Sequence, residues 1–239
     1  MELLEIKNFS KTYGGTKKAC DNVNITVCPG DIFGFIGHNG AGKSTTIKAT
    51  VGVLDFDEGE IKINGHSIKD KPLEAKSDMA YIPDNPDLYE HLTGMQYLNF
   101  IADIFGIDDT TRNERIDKYA KMFEIETALG DLISSYSHGM RQKVAIISAL
   151  IHDPKLLILD EPFVGLDPKA ALTVKNIMRE MCADGKAVFF STHVLDVAEK
   201  LCNRIAIIKQ GKIVVTGEME ELLGNKSLED LFMEVTEHA

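Results

Sequence analysis

The segment Gly37-His38-Asn39-Gly40-Ala41-Gly42-Lys43-Ser44-Thr45 fits the pattern G-x-x-x-x-G-K-[ST]. That spacing serves phosphate chemistry. Its glycines let a loop curl until backbone N–H groups face a triphosphate, and the following helix adds positive potential at its N-terminus. Lys43 then reaches the β and γ phosphates, and the Ser44 hydroxyl offers an oxygen to Mg2+. A glycine turn with a solvated lysine has the same composition, so context decides. Residues 32–36 read as an apolar strand just before the loop, and 43–51 as a helix just after it, ending at Gly52.

Leu156-Leu157-Ile158-Leu159-Asp160-Glu161-Pro162 ends an apolar run on two carboxylates. Alone, such a pair is a strand end with solvated acids. In a chain that already carries a phosphate loop, an aspartate there holds the Mg2+ shell and an adjacent glutamate polarises the attacking water, which gives those roles to Asp160 and Glu161. Guanine-specific GTPases resemble one another in an Asn-Lys-x-Asp motif, whereas the only Asn-Lys pair here, Asn225-Lys226, continues as Ser227-Leu228. ATP is therefore the expected nucleotide.

These residues need a frame. Residues 3–9, 22–27 and 32–36 read as short strands separated by the turn signals Gly14-Gly15 and Pro29-Gly30, and the first thirty-six residues look antiparallel. Residues 60–63 and 79–82 are further short strands. From 94 to 150 the period becomes helical, with Tyr97, Leu98, Ile101, Ile104 and Phe105 on one face and Ile116, Tyr119, Ala120 and Phe123 on another. Residues 156–160, 187–191 and 204–208 are apolar throughout, as strands buried on both faces of a parallel sheet are. Helices over 169–182 and 195–201 lie between them, and the acidic tail from Glu218 reads as two short helices. The fold class is α/β, a mostly parallel sheet with helices plus an N-terminal antiparallel β subdomain and a helical insert.

Composition narrows the function. The chain is 44% hydrophobic and 26% charged, ordinary for a globular domain that buries a core. Its net charge of -11 is the wrong sign for neutralising many phosphates along a duplex, so no nucleic-acid partner is expected. The most apolar stretches, 144–151 and 156–159, are far shorter than the roughly 20 residues that span a bilayer. The opening Met-Glu-Leu-Leu-Glu has neither a basic nor an apolar leader region, which predicts a chain that stays on the cytoplasmic side. Cys20, Cys28, Cys182 and Cys202 lack Cys-x-x-Cys spacing and read as buried reduced thiols, with no metal site proposed from them.

Tyr136-Ser137-His138-Gly139-Met140-Arg141-Gln142 precedes a helix to Leu150, with Ser137 as a natural N-cap. By itself this is an ordinary helix start. Beside the other motifs it closely resembles the signature of ATP-binding-cassette ATPases, whose common form is Leu-Ser-Gly-Gly-Gln, and the chain looks like an ABC transporter nucleotide-binding subunit over essentially its whole length. The motifs fall in the family order. Tyr13 stands where the family has an aromatic that stacks on adenine. Gly37, Asn39, Gly40, Gly42, Lys43, Ser44 and Thr45 match the Walker A loop, Ser137 and Gly139 the signature, and residues 156–161 the Walker B strand. Gly165-Leu166-Asp167 match the D-loop that faces a partner subunit, and His193 matches the switch histidine that contacts the γ-phosphate. The resemblance implies one domain over 1–239: a β/RecA-like core of 1–86 and 152–217, a helical signature subdomain of 87–151, and a helical tail of 218–239.

Three positions depart from the family. Asp84 stands where a glutamine usually follows the Tyr-Ile-Pro strand; it is one methylene shorter and has no N–H donor when ionised, so its expected role is Mg2+ or water contact. His138 and Met140 replace the usual glycine and glutamine of the signature, leaving Gly139 as the residue that permits close backbone approach. Val164 stands where a hydroxyl residue usually precedes Gly-Leu-Asp. The acid at 84 and the run Ser227-Leu228-Glu229-Asp230-Leu231-Phe232 both resemble subunits of ABC-2-type exporters.

What the resemblance implies is an ATP hydrolase, with Glu161, His193 and Lys43 catalytic and Ser44, Asp160 and Asp84 toward Mg2+. It would form a head-to-tail dimer with a second ATP-binding subunit, a homodimer, that holds each ATP between Walker A of one chain and the signature of the other. A separate membrane-spanning permease subunit is the implied partner, putting the chain at the cytoplasmic face of the membrane. Leu88, Tyr89 and Leu92 are candidates to touch that partner; equally, they pack the base of the insert. The alternative is a soluble ABC ATPase of DNA repair or translation. Against it stand the compact span from Tyr13 to His193, with no long coiled coil, and a single Walker A.

Overall fold

A computed structural model describes residues 2–237. Strands β1 (Leu4–Tyr13) and β2 (Lys17–Val27) make an antiparallel hairpin, Leu4 opposite Val27 and Thr12 opposite Lys18. The period-2 pattern turns Leu4 and Ile6 inward, and a bulge after Ile6 resets the register so that Phe9 is buried too. After β3 (Ile32–Ile36) and α1 (Lys43–Thr50), β4 (Glu58–Ile63) and the short β5 (His66–Ser67) complete a four-stranded sheet in the order β2-β1-β4-β5.

The expectation that the first thirty-six residues are antiparallel fails at β3. This strand runs parallel to β8 (Ala187–Thr192) and β9 (Arg204–Lys209) in a second sheet, which also holds β6 (Met79–Ile82), β7 (Leu156–Asp160) and β10 (Lys212–Glu218) in the order β10-β9-β3-β8-β7-β6. The reason is burial: all five residues of β3 are buried, and only an interior strand with layers on both faces offers that. Strand β10 went unread although Ile213-Val214-Val215 is a short β-branched run; none of its residues is buried, so it lacks the longer apolar stretch that marks the interior strands. Phe33 and Phe35 both pack on Phe189, at 5.7 and 5.6 Å between ring centres, in a core shared with Leu4, Ile6, Phe9, Ile47, Ile158 and Ala206.

The remaining α-helices are α2 (Pro72–Ser77), α3 (Gly94–Ile104), α4 (Asp109–Phe123), α5 (His138–Leu150), α6 (Pro168–Ala183), α7 (Leu195–Leu201), α8 (Met219–Leu223) and α9 (Leu228–Glu237). Thr93 and Gln96 close a reciprocal capping box on α3, and Asp108 caps α4. The chain gathers into two compact units: one of residues up to Tyr81, 155–162 and those from Met178 on, the other of Ile82–Pro154 and Phe163–Ile177. The second unit thus includes 82–86, 152–154 and 163–177 besides the segment 87–151 read as a helical insert. Its own ion pairs tie the added turn in, Lys143 to Asp167 at 3.2 Å and Lys169 to Glu124.

The four cysteines are free thiols; Cys20, Cys182 and Cys202 are buried and Cys28 is half-buried. Burial pushes the Cys182 thiol up to about 12 and raises Cys202 as well, so neither is a thiolate at neutral pH. Among the described residues no helix is long and apolar enough to cross a membrane.

Candidate functional site

Strand β3 hands the chain to the glycine loop at Gly37, where a Cβ would stand 2.6 Å from the Ile208 carbonyl oxygen. Gly42, the last loop residue, has a φ of 117°, and a Cβ there would meet the Ala19 oxygen at 2.8 Å. At Gly37 the space, and at Gly42 both the conformation and the space, fit glycine alone. Lys43 opens α1 and is 6% exposed. Its ammonium donates to the Gly37 carbonyl at 2.7 Å and to the His38 carbonyl at 3.4 Å, so the side chain folds back over its own loop. Ser44 is exposed and Thr45 half-buried on the first turn, while Asn39 and Gly40 lie exposed on the loop.

Strand β7 ends beside this loop. Asp160 is buried and accepts a hydrogen bond from Ser191 Oγ, its register partner on β8. Glu161 follows with a φ of 50°, a left-handed conformation that costs a non-glycine residue on the order of 1 kcal/mol. Ser191 holds it there, its Oγ and carbonyl accepting the Glu161 N–H at 3.2 and 3.3 Å. The turn aims the Glu161 carboxylate so that Oε1 shares a hydrogen bond with His193 Nδ1 at 2.9 Å and lies 3.7 Å from Lys43 Nζ. Lys43, Glu161 and His193, far apart in sequence, thus form one cluster of ammonium, carboxylate and imidazole. Tyr13 ends β1, 42% exposed, with Lys11 Nζ 5.6 Å from its ring centre.

Ser191 was missed as a site residue. It enters the site through the register of β7 against β8, which no local pattern in the sequence shows.

The second unit holds the other motif residues. Ser137 caps α5, accepting the Met140 N–H at 3.3 Å. The His138 ring lies against Gly165, where a Cβ would come within 2.3 Å of Cδ2, and the Gly165 φ of 78° suits glycine. Asp167 accepts the Ala170 N–H at 2.8 Å and pairs with Lys143; the backbone donor, then the ammonium, hold its carboxyl below the usual carboxylate range. The signature helix and the 165–167 turn are therefore joined at two points. Asp84 is exposed on the loop after β6. Leu88 is buried, Leu92 half-buried, and Tyr89 is 50% exposed with its ring edge-on to Tyr97 and Phe100. Of the three docking candidates only Tyr89 presents itself to solvent; Leu88 packs the unit.

A family model described as ABC transporter matches residues 20–164. The chain belongs to this family. It is 37% identical over 241 residues to the ABC-type transporter ATP-binding protein EcsA of Bacillus subtilis, covering 99% of this chain and 97% of that one. A solved structure of the ATP-binding subunit of an ABC transporter superposes with a TM-score of 0.94 at 36% identity, covering 98% of this chain and 99% of its own. An ATP-binding cassette in a dimeric post-hydrolysis state with ADP and phosphate matches at 25% identity and a TM-score of 0.81, over 90% of this chain and 98% of that one. This ABC subunit binds and hydrolyses ATP to power transport, and the DNA-repair or translation alternative is not favoured.

Proposed function

We propose that ATP lies on the phosphate loop of the first unit, with Glu161 as general base. The supporting observation is the Glu161 carboxylate set between the Lys43 ammonium and the His193 imidazole. A water oxygen attacks the γ-phosphorus, its proton passes to Glu161, and the bond to the β-bridging oxygen breaks to release ADP. Lys43 offsets charge on the β and γ phosphates, while His193 holds the Glu161 head and reaches the γ-phosphate. Tyr13 stacks on adenine. Asn39, Gly40, Ser44 and Thr45 line the phosphates.

The Ser44 hydroxyl and the Asp160 carboxylate are hard oxygen donors of the kind that suits Mg2+, with phosphates and waters completing its shell. When bound, Mg2+ would neutralise charge on the phosphate oxygens. Asp84 is the proposed third contributor. Asp84→Asn should then raise the Mg2+ concentration giving half-maximal ATPase activity while ATP binding without Mg2+ stays the same. Asp84→Gln should be tolerated better than Asp84→Ala. A wild-type Mg2+ dependence in all three variants removes Asp84 from the cation shell.

Two copies of the chain would pair head to tail, so that Ser137 and Gly139 of one close over the ATP of the other and Asp167 faces the second subunit. The membrane-spanning partner is a separate permease of the ABC-2 exporter type, and the subunit sits peripherally at the cytoplasmic face. Tyr89 and Phe100, both exposed, offer it an aromatic contact. Tyr89→Glu should abolish co-purification with the permease and leave basal ATPase activity unchanged. Leu88→Asp differs in kind, because burying a carboxylate destabilises the unit itself. Pull-downs from native membranes that recover ribosomes or DNA and no integral membrane protein would sink the assignment.

A further inference from the structure

The C-terminal run Ser227-Leu228-Glu229-Asp230-Leu231-Phe232 has no part in the mechanism above, yet the fold puts it on the phosphate loop. Ser227 and Asp230 cap the start of α9 reciprocally: Ser227 Oγ accepts the Asp230 N–H at 3.1 Å, and Asp230 accepts the Ser227 N–H at 3.3 Å. Leu228, Leu231 and Phe232 form its buried face. Three contacts tie the helix to elements that carry the site. The Leu228 N–H donates to Glu199 at 2.8 Å, on α7, the helix that follows His193. Lys209, at the end of β9, donates to the Thr236 carbonyl at 2.5 Å. Between them, the Phe232 ring meets the His38 ring edge to face at 4.9 Å.

His38 is a loop residue, and its carbonyl accepts both the Lys43 ammonium at 3.4 Å and the Ala41 N–H at 3.1 Å. Whatever fixes the His38 ring thus bears on the backbone that holds Lys43. A cavity of about 210 Å³ lined by His38, Asn39, Ala41, Lys209 and Gln210 leaves room on this side for the loop to shift. On this side the loop is held by the Gly211 N–H, which donates to the Ala41 carbonyl at 2.8 Å, and by the ring pair.

We propose that α9 braces the phosphate loop and that Phe232 is a positioning residue for ATP binding, acting through His38. The proposal rests on the loop being the ATP site, and it goes beyond that assignment by giving the C-terminal helix a part in nucleotide affinity.

The test titrates the full chain with a fluorescent ATP analogue and Mg2+, using wild type, Phe232→Leu, His38→Ala, the double variant and Phe232→Tyr, with thermal midpoints recorded alongside. Phe232→Leu keeps apolar bulk and loses the ring edge. It should raise the nucleotide Kd roughly two- to ten-fold, the range an aromatic pair supplies. His38→Ala, at an exposed position, should do the same, the double variant should be no weaker than the worse single, and Phe232→Tyr should bind as wild type. Independent, multiplying effects of the two singles, or a lowered thermal midpoint with an unchanged Kd, would overturn the brace and leave Phe232 as core packing. Lys43→Ala serves as control: if it leaves the Kd unchanged, the site assignment has failed rather than the brace.

Discussion

Glu161→Gln is expected to cut ATP turnover by about 10²- to 10⁴-fold, the range a positioned general base contributes, with ATP binding intact. The amide keeps the size of the side chain and can still hydrogen-bond His193, 2.9 Å away, so the geometry survives. It cannot take the water's proton. The trapped state should accumulate as a dimer, so ATPase rate and size-exclusion mass belong in one experiment. Hydrolysis near the wild-type rate would show that another residue is the base.

Lys43→Ala should act on binding before chemistry. Its ammonium is buried and makes two hydrogen bonds to loop carbonyls, besides lying 3.7 Å from Glu161. Truncation removes the cation proposed to meet the phosphates, takes the ammonium from the Gly37 carbonyl and leaves the His38 carbonyl with the Ala41 N–H alone. A lost charge-assisted hydrogen bond corresponds to a Kd rise of about ten- to a hundred-fold. A nucleotide titration separates the two variants: unchanged affinity in Glu161→Gln against weakened affinity in Lys43→Ala. Equal affinity in both would remove Lys43 from phosphate contact.

Motifs were legible wherever the chemistry is local in sequence. The loop at 37–45 and the cap at Ser137 depend on neighbours within a few residues, so glycine placement and helix-start signals suffice to find them. Strand β7 was legible for another reason, since burial on both faces demands an unbroken apolar run. The same rule applied to β3 would have moved it out of the antiparallel group, but adjacency in the chain outweighed it. Contacts made by topology were not legible. Ser191 reaches Asp160 and Glu161 because β7 and β8 pair in register, and Phe232 reaches His38 across almost two hundred residues. The positive φ of Glu161 also left no trace, because side-chain type does not announce a left-handed backbone at a strand end.

The placement of β3 between β8 and β9 bears on how the molecule withstands unfolding. An edge strand frays at little cost, whereas an interior strand opens only when its neighbours separate, which in a core strand approaches opening of the whole fold. The loop proposed to hold ATP hangs from that strand, so on that assignment the nucleotide cannot be held by an isolated loop while the sheet melts. Ligand affinity then adds to the stability of the whole first unit. With nucleotide at a hundred times its Kd, the native form gains about 2.7 kcal/mol over the unfolded chain. Falling ATP would therefore leave this subunit idle and, by the same mass action, easier to unfold and to proteolyse.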